Sequence, residues 1–389
     1  MSRTANVVRL TLPPGRRVLV ISDIHGNLPF FKGVLSAARY TPDDVLVLLG
    51  DLVEKGPDSL ATLRYIMALA ERNTVYCVRG NCDNLVSDFA LDEGAPEAGF
   101  YHHYLNVWRD RCLLVQMGQA AGFETRGPED LAGLREVVRE RFAPELAFLE
   151  AMPEILVTPD YLFVHGGVAD EERLDGLDAW GCMKNDDFLS QGHAFRRWCI
   201  VGHWPVTLYD PRVPRCRPLL EERRHIASID GGCSLQIGGQ LNALVLPEAP
   251  GGAFSWFAYD GLPTAKALDR QVPSADPVNI RWGRNQVQVL ERGERLSLCR
   301  HLETGRVLEV LTDYLYERDG AVRCQDSTDY RLPVEPGDAL AVVRRLPDRA
   351  LVKKDGVTGW YFGRLAQGPF PGEFQRETCG KTIDFSKMR

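Results

Sequence analysis

Val45-Leu46-Val47-Leu48-Leu49-Gly50-Asp51-Leu52-Val53-Glu54-Lys55-Gly56 joins five unbroken apolar residues to a polar loop. So short an apolar run reads as a strand buried on both faces. Asp51 therefore stands at the strand's carboxyl end. The arrangement recurs along the first 207 residues. Residues 17–21 lead to Ser22-Asp23-Ile24-His25-Gly26-Asn27, and residues 74–78 to Gly80-Asn81-Cys82-Asp83. Residues 161–164 lead to His165-Gly166-Gly167, and residues 199–201 to Gly202-His203-Trp204-Pro205. Residues 226–229 and 241–246 read as further strands. Helical spacing lies between, around 28–39 and over 58–72, where Leu60, Leu63, Ile66 and Leu69 recur. Strand, helix, strand alternation predicts a layered α/β core with the polar motifs along one sheet edge.

The composition is that of an ordinary globular chain, with 44% apolar and 25% charged residues among 389. That length predicts two or three domains. The 53 acidic side chains outnumber the 46 basic ones, for a net charge of −7, which argues against a nucleic-acid surface. No run of 18 apolar residues occurs, so no membrane span is expected. Residues 1–17 lack the apolar block of a signal peptide. The ten cysteines are scattered without a CxxC pair, as expected of reduced thiols in a cytoplasmic protein.

The organisation predicts a catalytic domain over 1–250, interrupted by a helical insertion at about 84–154. There Leu131, Leu134, Val137, Val138 and Phe142 form an amphipathic stripe. Residues 251–280, rich in proline, read as a linker or β-extension. Residues 281–375 read as a β-rich region. Within it "PGD" at 336–338 and Gly359-Trp360-Tyr361-Phe362-Gly363 suggest a small SH3-like barrel at about 330–370, or else a β-extension packed on the main domain.

The loop residues form a coherent ligand set. Asp23 and His25, two apart in a segment read as extended, should point to one side. A carboxylate with an imidazole suits Mn, Zn or Fe better than Ca. Asp51 can bridge two ions about 3.5–4 Å apart. Asn81 offers a neutral amide oxygen, and His165 and His203 can complete a second site. A lone histidine after a strand is more often a plain hydrogen-bonding residue; the weight lies in the ordered conjunction of six.

This order of motifs resembles that of the calcineurin-like metallophosphoesterases, over roughly residues 17–247. Within them it is most similar to bacterial phosphoprotein phosphatases and symmetrical diadenosine tetraphosphatases. The resemblance implies two mixed β-sheets packed face to face and flanked by helices. It implies Asp23, His25 and Asp51 on a first divalent or transition metal ion, and Asp51, Asn81, His165 and His203 on a second. Such a pair lowers the pKa of a bridging water and sets hydroxide in line with phosphorus. The implied substrate is phosphorylated, a protein or a nucleotide.

Two positions depart from the family pattern. Lys55 stands where arginine usually clamps phosphate, so charge is kept and the bidentate fork is lost. Cys82 replaces the histidine that protonates the leaving oxygen, with Glu54 in the position that backs it. A thiol with a pKa near 8.5 is a poorly matched donor. Three accounts are open. Cys82 is a filler, or His102 or His103 donates, or the leaving group needs no proton, as in diesters, phosphoanhydrides and activated aryl phosphates. A rival reading is a weakly active metal-binding scaffold that works through its C-terminal barrel. That barrel is a candidate to bind a peptide or to pack on the catalytic domain.

Overall fold

The protein is described by a computed structural model over residues 3–91, 98–249 and 251–366. Pro250 and residues 367–375, parts of the expected boundary and β-rich region, lie outside the described residues. After a short strand β1 (Val7–Arg9), the strands β2 (Val18–Ile21), β3 (Val45–Leu49) and β4 (Thr74–Val78) pair in parallel, Ile21 opposite Leu48 and Leu48 opposite Cys77. Helices α1 (Leu28–Ala37) and α2 (Ser59–Ala70) connect them. Asn27 opens α1 by accepting the Phe30 amide at 3.2 Å, so the first motif ends in a helix cap.

The insertion comprises α3 (Asn81–Leu91), α4 (Ala98–Trp108), α5 (Leu113–Ala120), α6 (Leu131–Arg141) and α7 (Ala143–Ala151). Helix α3 begins at Asn81, so the third motif forms a helix's first turn. Then follow β5 (Ile155–Val157), β6 (Tyr161–Val164), α8 (Ala179–Met183), β7 (Trp198–Val201), β8 (Leu219–Glu221), β9 (Ile226–Ser228), β10 (Leu241–Val245) and β11 (Ser255–Tyr259).

Two mixed sheets result, one ordered β11-β10-β2-β3-β4 and the other β1-β5-β6-β7-β9-β8. Strand alternation sorts each apolar run into two faces. Val18, Val20, Val45 and Val47 meet Leu156, Phe163 and Ile200 of the other sheet. Leu19, Ile21, Leu46 and Leu48 turn outward onto α1, α2 and the insertion helices. Leu162, Val164, Cys199 and Val201 cover the opposite outer face with Met183 and Phe188. Each such side chain contributes about 1.5–3 kcal/mol by burial. Strands buried on both sides are why these runs read as continuous rather than alternating. Ser255–Tyr259 pairs with β10, so this sheet extends past residue 250.

The C-terminal region is antiparallel β. Val287–Glu291, Leu296–His301 and Val307–Leu311 form one sheet, and Leu315–Arg318 pairs with Ala321–Cys324. Thr264–Lys266, Ala339–Arg345, Ala350–Lys354 and Val357–Tyr361 form a four-stranded sheet. The region packs on the α/β layers. Buried Lys353 bonds Asp260 at 2.8 Å and Gln240 at 3.1 Å, and the Thr358 amide donates to the Pro214 carbonyl. No helix among the described residues is long and apolar enough to cross a membrane.

Candidate metal centre

The five motif loops converge at the carboxyl ends of β2, β3, β4, β6 and β7. Close approach explains their glycines. A Cβ on Gly80 would lie 2.3 Å from Asp51 Oδ1, and one on Gly202 would lie 2.3 Å from Asp23 Oδ2. Asp83 clasps the second loop to the third, since its carboxylate accepts the Leu52 and Gly80 amides, each at 2.9 Å.

The loops are strained. Asp23, His25, Asp51, Glu54, Lys55 and His203 all have φ between 49° and 71°. For residues other than glycine this left-handed region costs about 1–3 kcal/mol each, and it persists only where surrounding structure enforces it. The expectation that Asp23 and His25 share an extended segment is therefore corrected. Their side chains converge because both residues turn left-handed, bringing His25 Nε2 within 3.7 Å of Asp23 Oδ1.

Asp51 is the hub, 2% exposed. Its Oδ1 accepts the Cys82 amide at 2.8 Å and lies 3.3 Å from His165 Nε2. Its Oδ2 lies 3.9 Å from His25 Nε2 and 4.0 Å from Lys55 Nζ. Two ligand groups share it, His25–Asp51–Cys82 and Asp51–His165–His203, each with donor atoms within 4.8 Å of one another. Cys82 thus stands beside His25 and Asp51 at ligand distance.

Each donor is aimed by a second partner. His165 Nδ1 faces the Leu49 carbonyl at 2.8 Å, which leaves Nε2 toward Asp51. The Asp23 Oδ2 accepts the Ser22 hydroxyl and, at 3.0 Å, the His203 amide. His203 Nε2 meets Asp186 at 2.8 Å, with Lys184 pairing Asp186 from the side. Asp23 Oδ1, Asn81 Oδ1 and His165 Nε2 are buried without a hydrogen-bond partner among the described residues. Orphaned buried donors and acceptors cost about 1–3 kcal/mol each, so these atoms, on the loops that meet around Asp51, fit a cation site, although Asp23 and Asn81 lie outside the two ligand groups.

The charge pattern is mixed: His25 and His203 are held neutral, whereas Asp51 and Asp23 hold His165 as an imidazolium in the metal-free chain. Burial, aided by neighbouring cations, lowers His25 to about 3 and His203 to about 4, so both stay neutral, the state that ligates. Burial also lowers the His165 value, but Asp51 and Asp23 more than offset it and raise it to about 9. Burial raises Asp23 to about 6. For Lys55 burial acts downward, yet Cys82 and Asp51 outweigh it and keep the ammonium charged.

Glu54 departs from its expected place. Its carboxylate accepts Tyr104 O–H at 2.8 Å and the Leu113 amide at 2.7 Å, so its hydrogen bonds run to the insertion helices rather than to Cys82. His102 and His103 do not line the cavity over Asp51; Phe100 and Tyr104 of the same helix do. Asp83, Asp186 and Lys184 carried no role in the sequence reading. Asp83 sits inside a motif, whereas the Asp186–His203 pairing spans two loops and leaves no local signal.

The model of the Calcineurin-like phosphoesterase family matches residues 16–226. The chain belongs to this family. Membership implies divalent metal ions, for which these buried donors are candidates. A symmetrical bis(5'-nucleosyl)-tetraphosphatase of Glaesserella parasuis is 48% identical over 65 residues, 16% of this chain and 23% of that one. Its counterpart from Buchnera aphidicola is 33% identical over 100 residues, 25% and 36% of the two chains. The chain spans only about a quarter to a third of the length of these curated relatives. A solved metallophosphoesterase from Sphaerobacter thermophilus superposes with TM-score 0.35 and 20% identity, covering 63% of this chain and 87% of that one.

Proposed function

We propose that the chain is a phosphoester hydrolase dependent on two metal ions. One observation carries this reading: side chains able to ligate a metal, from separate loops, meet at buried Asp51 in two overlapping groups, His25–Asp51–Cys82 and Asp51–His165–His203. Asp23, His25 and Asp51 would hold one ion, with Cys82 adjacent, and Asp51, Asn81, His165 and His203 the other. When bound, such a pair supplies Lewis acidity that activates the attacking water and offsets charge on the phosphoryl oxygens.

The chain's own residues do the rest. Lys55, buried and charged, neutralises a phosphoryl oxygen. Asp83 holds the two loops that carry Asp51 and Asn81 at fixed separation, and Leu49 and Asp186 orient the two late imidazoles. Glu54, tied to Tyr104 and Leu113, anchors the insertion beside the site rather than moving a proton at Cys82. Local identity to tetraphosphatases favours a phosphoanhydride of a nucleotide over a phosphoprotein as substrate. We read residues 1–250 as the catalytic unit, completed by the edge strand Ser255–Tyr259, with the β-rich region appended. Among the described residues nine cysteines are free, eight of them buried, which supports a cytoplasmic location.

The test is metal content with a substrate panel. The full chain should retain about two Mn or Zn ions and release nitrophenol from its phosphate ester. Asp51→Asn should lose at least one ion and turnover by 100-fold or more. Metal-loaded protein inert on mono- and diesters and on diadenosine tetraphosphate would defeat the reading. The ratio of rates on a phosphopeptide and on diadenosine tetraphosphate separates the two substrate classes.

A further inference from the structure

The cavity over Asp51 does not end at the catalytic layers. It runs from His25, Asp51 and Lys55 to Trp282, Tyr316 and Asp326 of the C-terminal region, enclosing about 170 Å³. That far wall is held in place by the loop that follows His203. Asn279 Nδ2 donates to the Thr207 carbonyl at 3.0 Å and to the Asp210 carbonyl at 2.8 Å, and Arg281 Nη1 donates to the Leu208 carbonyl at 2.6 Å. Trp282 follows directly and meets Trp204 edge to face, ring centroids 6.1 Å apart at 75°. Trp204 is the residue after His203, so the indole pair adjoins the metal centre.

Two further features point to a ligand here. Trp204 Nε1 is buried and donates to nothing among the described residues, a donor awaiting an acceptor. Trp180 and Ile237, on the same cavity, are each 45% exposed, so large apolar surface faces solvent at the rim. One end of the cavity holds Lys55 and the candidate metal ligands and suits a phosphoryl group. Beside it the cavity is walled by Trp204 and Trp282, which suit a flat, uncharged ring.

We propose that the C-terminal β region is part of the substrate site, where Trp282 and Trp204 bind the planar aromatic portion of a phosphoester. This deepens the phosphoesterase reading and rests on it. It also bears on Cys82. In hydrolysis the water oxygen bonds to phosphorus, and the scissile P–O bond breaks with its electron pair on the leaving oxygen. An aryl oxide or a phosphate released from an anhydride bears that pair without taking a proton from Cys82. The aromatic group thus comes from an aryl ester or from a nucleobase.

Binding of inert ligands to the metal-loaded full chain tests this apart from turnover. Phenylphosphonate is compared with methylphosphonate, and AMP with ribose 5-phosphate, by calorimetry. In at least one pair the aromatic member should bind tenfold or more tightly; the phenyl pair reports an aryl source and the AMP pair a nucleobase source. Trp282→Leu should cut that preference below threefold, Trp282→Phe should keep most of it, and Leu302→Ser, exposed and away from the cavity, should not alter it. Should Trp282→Leu fail to fold, the Phe variant is paired with Trp204→Phe and Trp204→Leu. No aromatic preference in the parent, or a preference untouched in folded Leu variants, overturns the proposal. Absence of turnover on every ester, with the binding preference intact, defeats the hydrolase reading instead.

Discussion

Glu54→Gln is expected to stabilise the protein at alkaline pH and not at acid pH. Glu54 is wholly buried, and burial raises its carboxyl from 4.5 to about 7 against the opposing hydrogen bonds of Tyr104, Leu113 and Cys112. The folded-state value lies above the unfolded one, so between these limits the folded chain binds more protons than the unfolded chain. Stability from this group therefore falls as pH rises from about 4.5 to about 7 and stays low above that. At about 1.4 kcal/mol per pH unit the full penalty is about 3 kcal/mol. Gln removes the charge and keeps an acceptor for the Leu113 amide. Its NH2 replaces the oxygen that Tyr104 donates to, so the hydroxyl must turn and accept, at a cost of about 1 kcal/mol or less. Urea unfolding of parent and variant in EDTA, followed by tryptophan fluorescence, measures the difference. The variant should gain about 2–3 kcal/mol relative to the parent between pH 5 and pH 8. A difference that does not change with pH, or one that grows toward acid, refutes the assignment of a costly buried carboxylate.

Two other outcomes are expected. Cys82→His should raise kcat about tenfold or more on glycerol phosphate, a poor leaving group, and leave nitrophenyl phosphate within threefold, because general acid catalysis matters only where the leaving oxygen needs a proton; equal gains on both would show that the indole-bound substrates also lack a donor. Gly202→Ala should lower bound metal below two ions per chain, since its Cβ would lie 1.9 Å from Ser22 Oγ and displace the Asp23 loop, while Gly99→Ala, with open space around it, serves as the unaffected control in the same metal analysis.

The catalytic strands were legible because each is short, apolar and followed by a polar loop. The expected run at 45–49 matches β3 residue for residue, and the run at 74–78 matches β4. Burial of both faces of β2 and β3 is a local demand, met by local composition. The loops were legible as a set because each must supply a donor within a few residues of a strand end.

Other features were hidden from any local reading. Asp23 and His25 converge through left-handed turns that only contact with the 50–56 and 202–203 loops can enforce, so alternation gave their common side for the wrong reason. Glu54 looked like a partner for Cys82 from its place in the motif, yet packing of α5 and Tyr104 turns it away. The opposite shifts of His25 and His165, chemically identical side chains, follow from the balance each meets: at His25 burial, with Lys55 and His165 nearby, outweighs Asp51, whereas at His165 Asp51 and Asp23 outweigh burial. Trp282 meets Trp204 across 77 intervening positions in the chain, a contact set by how the β region docks on the His203 loop. By itself the sequence determined the strands, the motif order and the donor types, all of which obey short-range periodicity. Tertiary structure alone decided which donors are neutral, which lack partners and which wall faces the metal centre, because electrostatics and burial depend on neighbours that lie far apart along the chain.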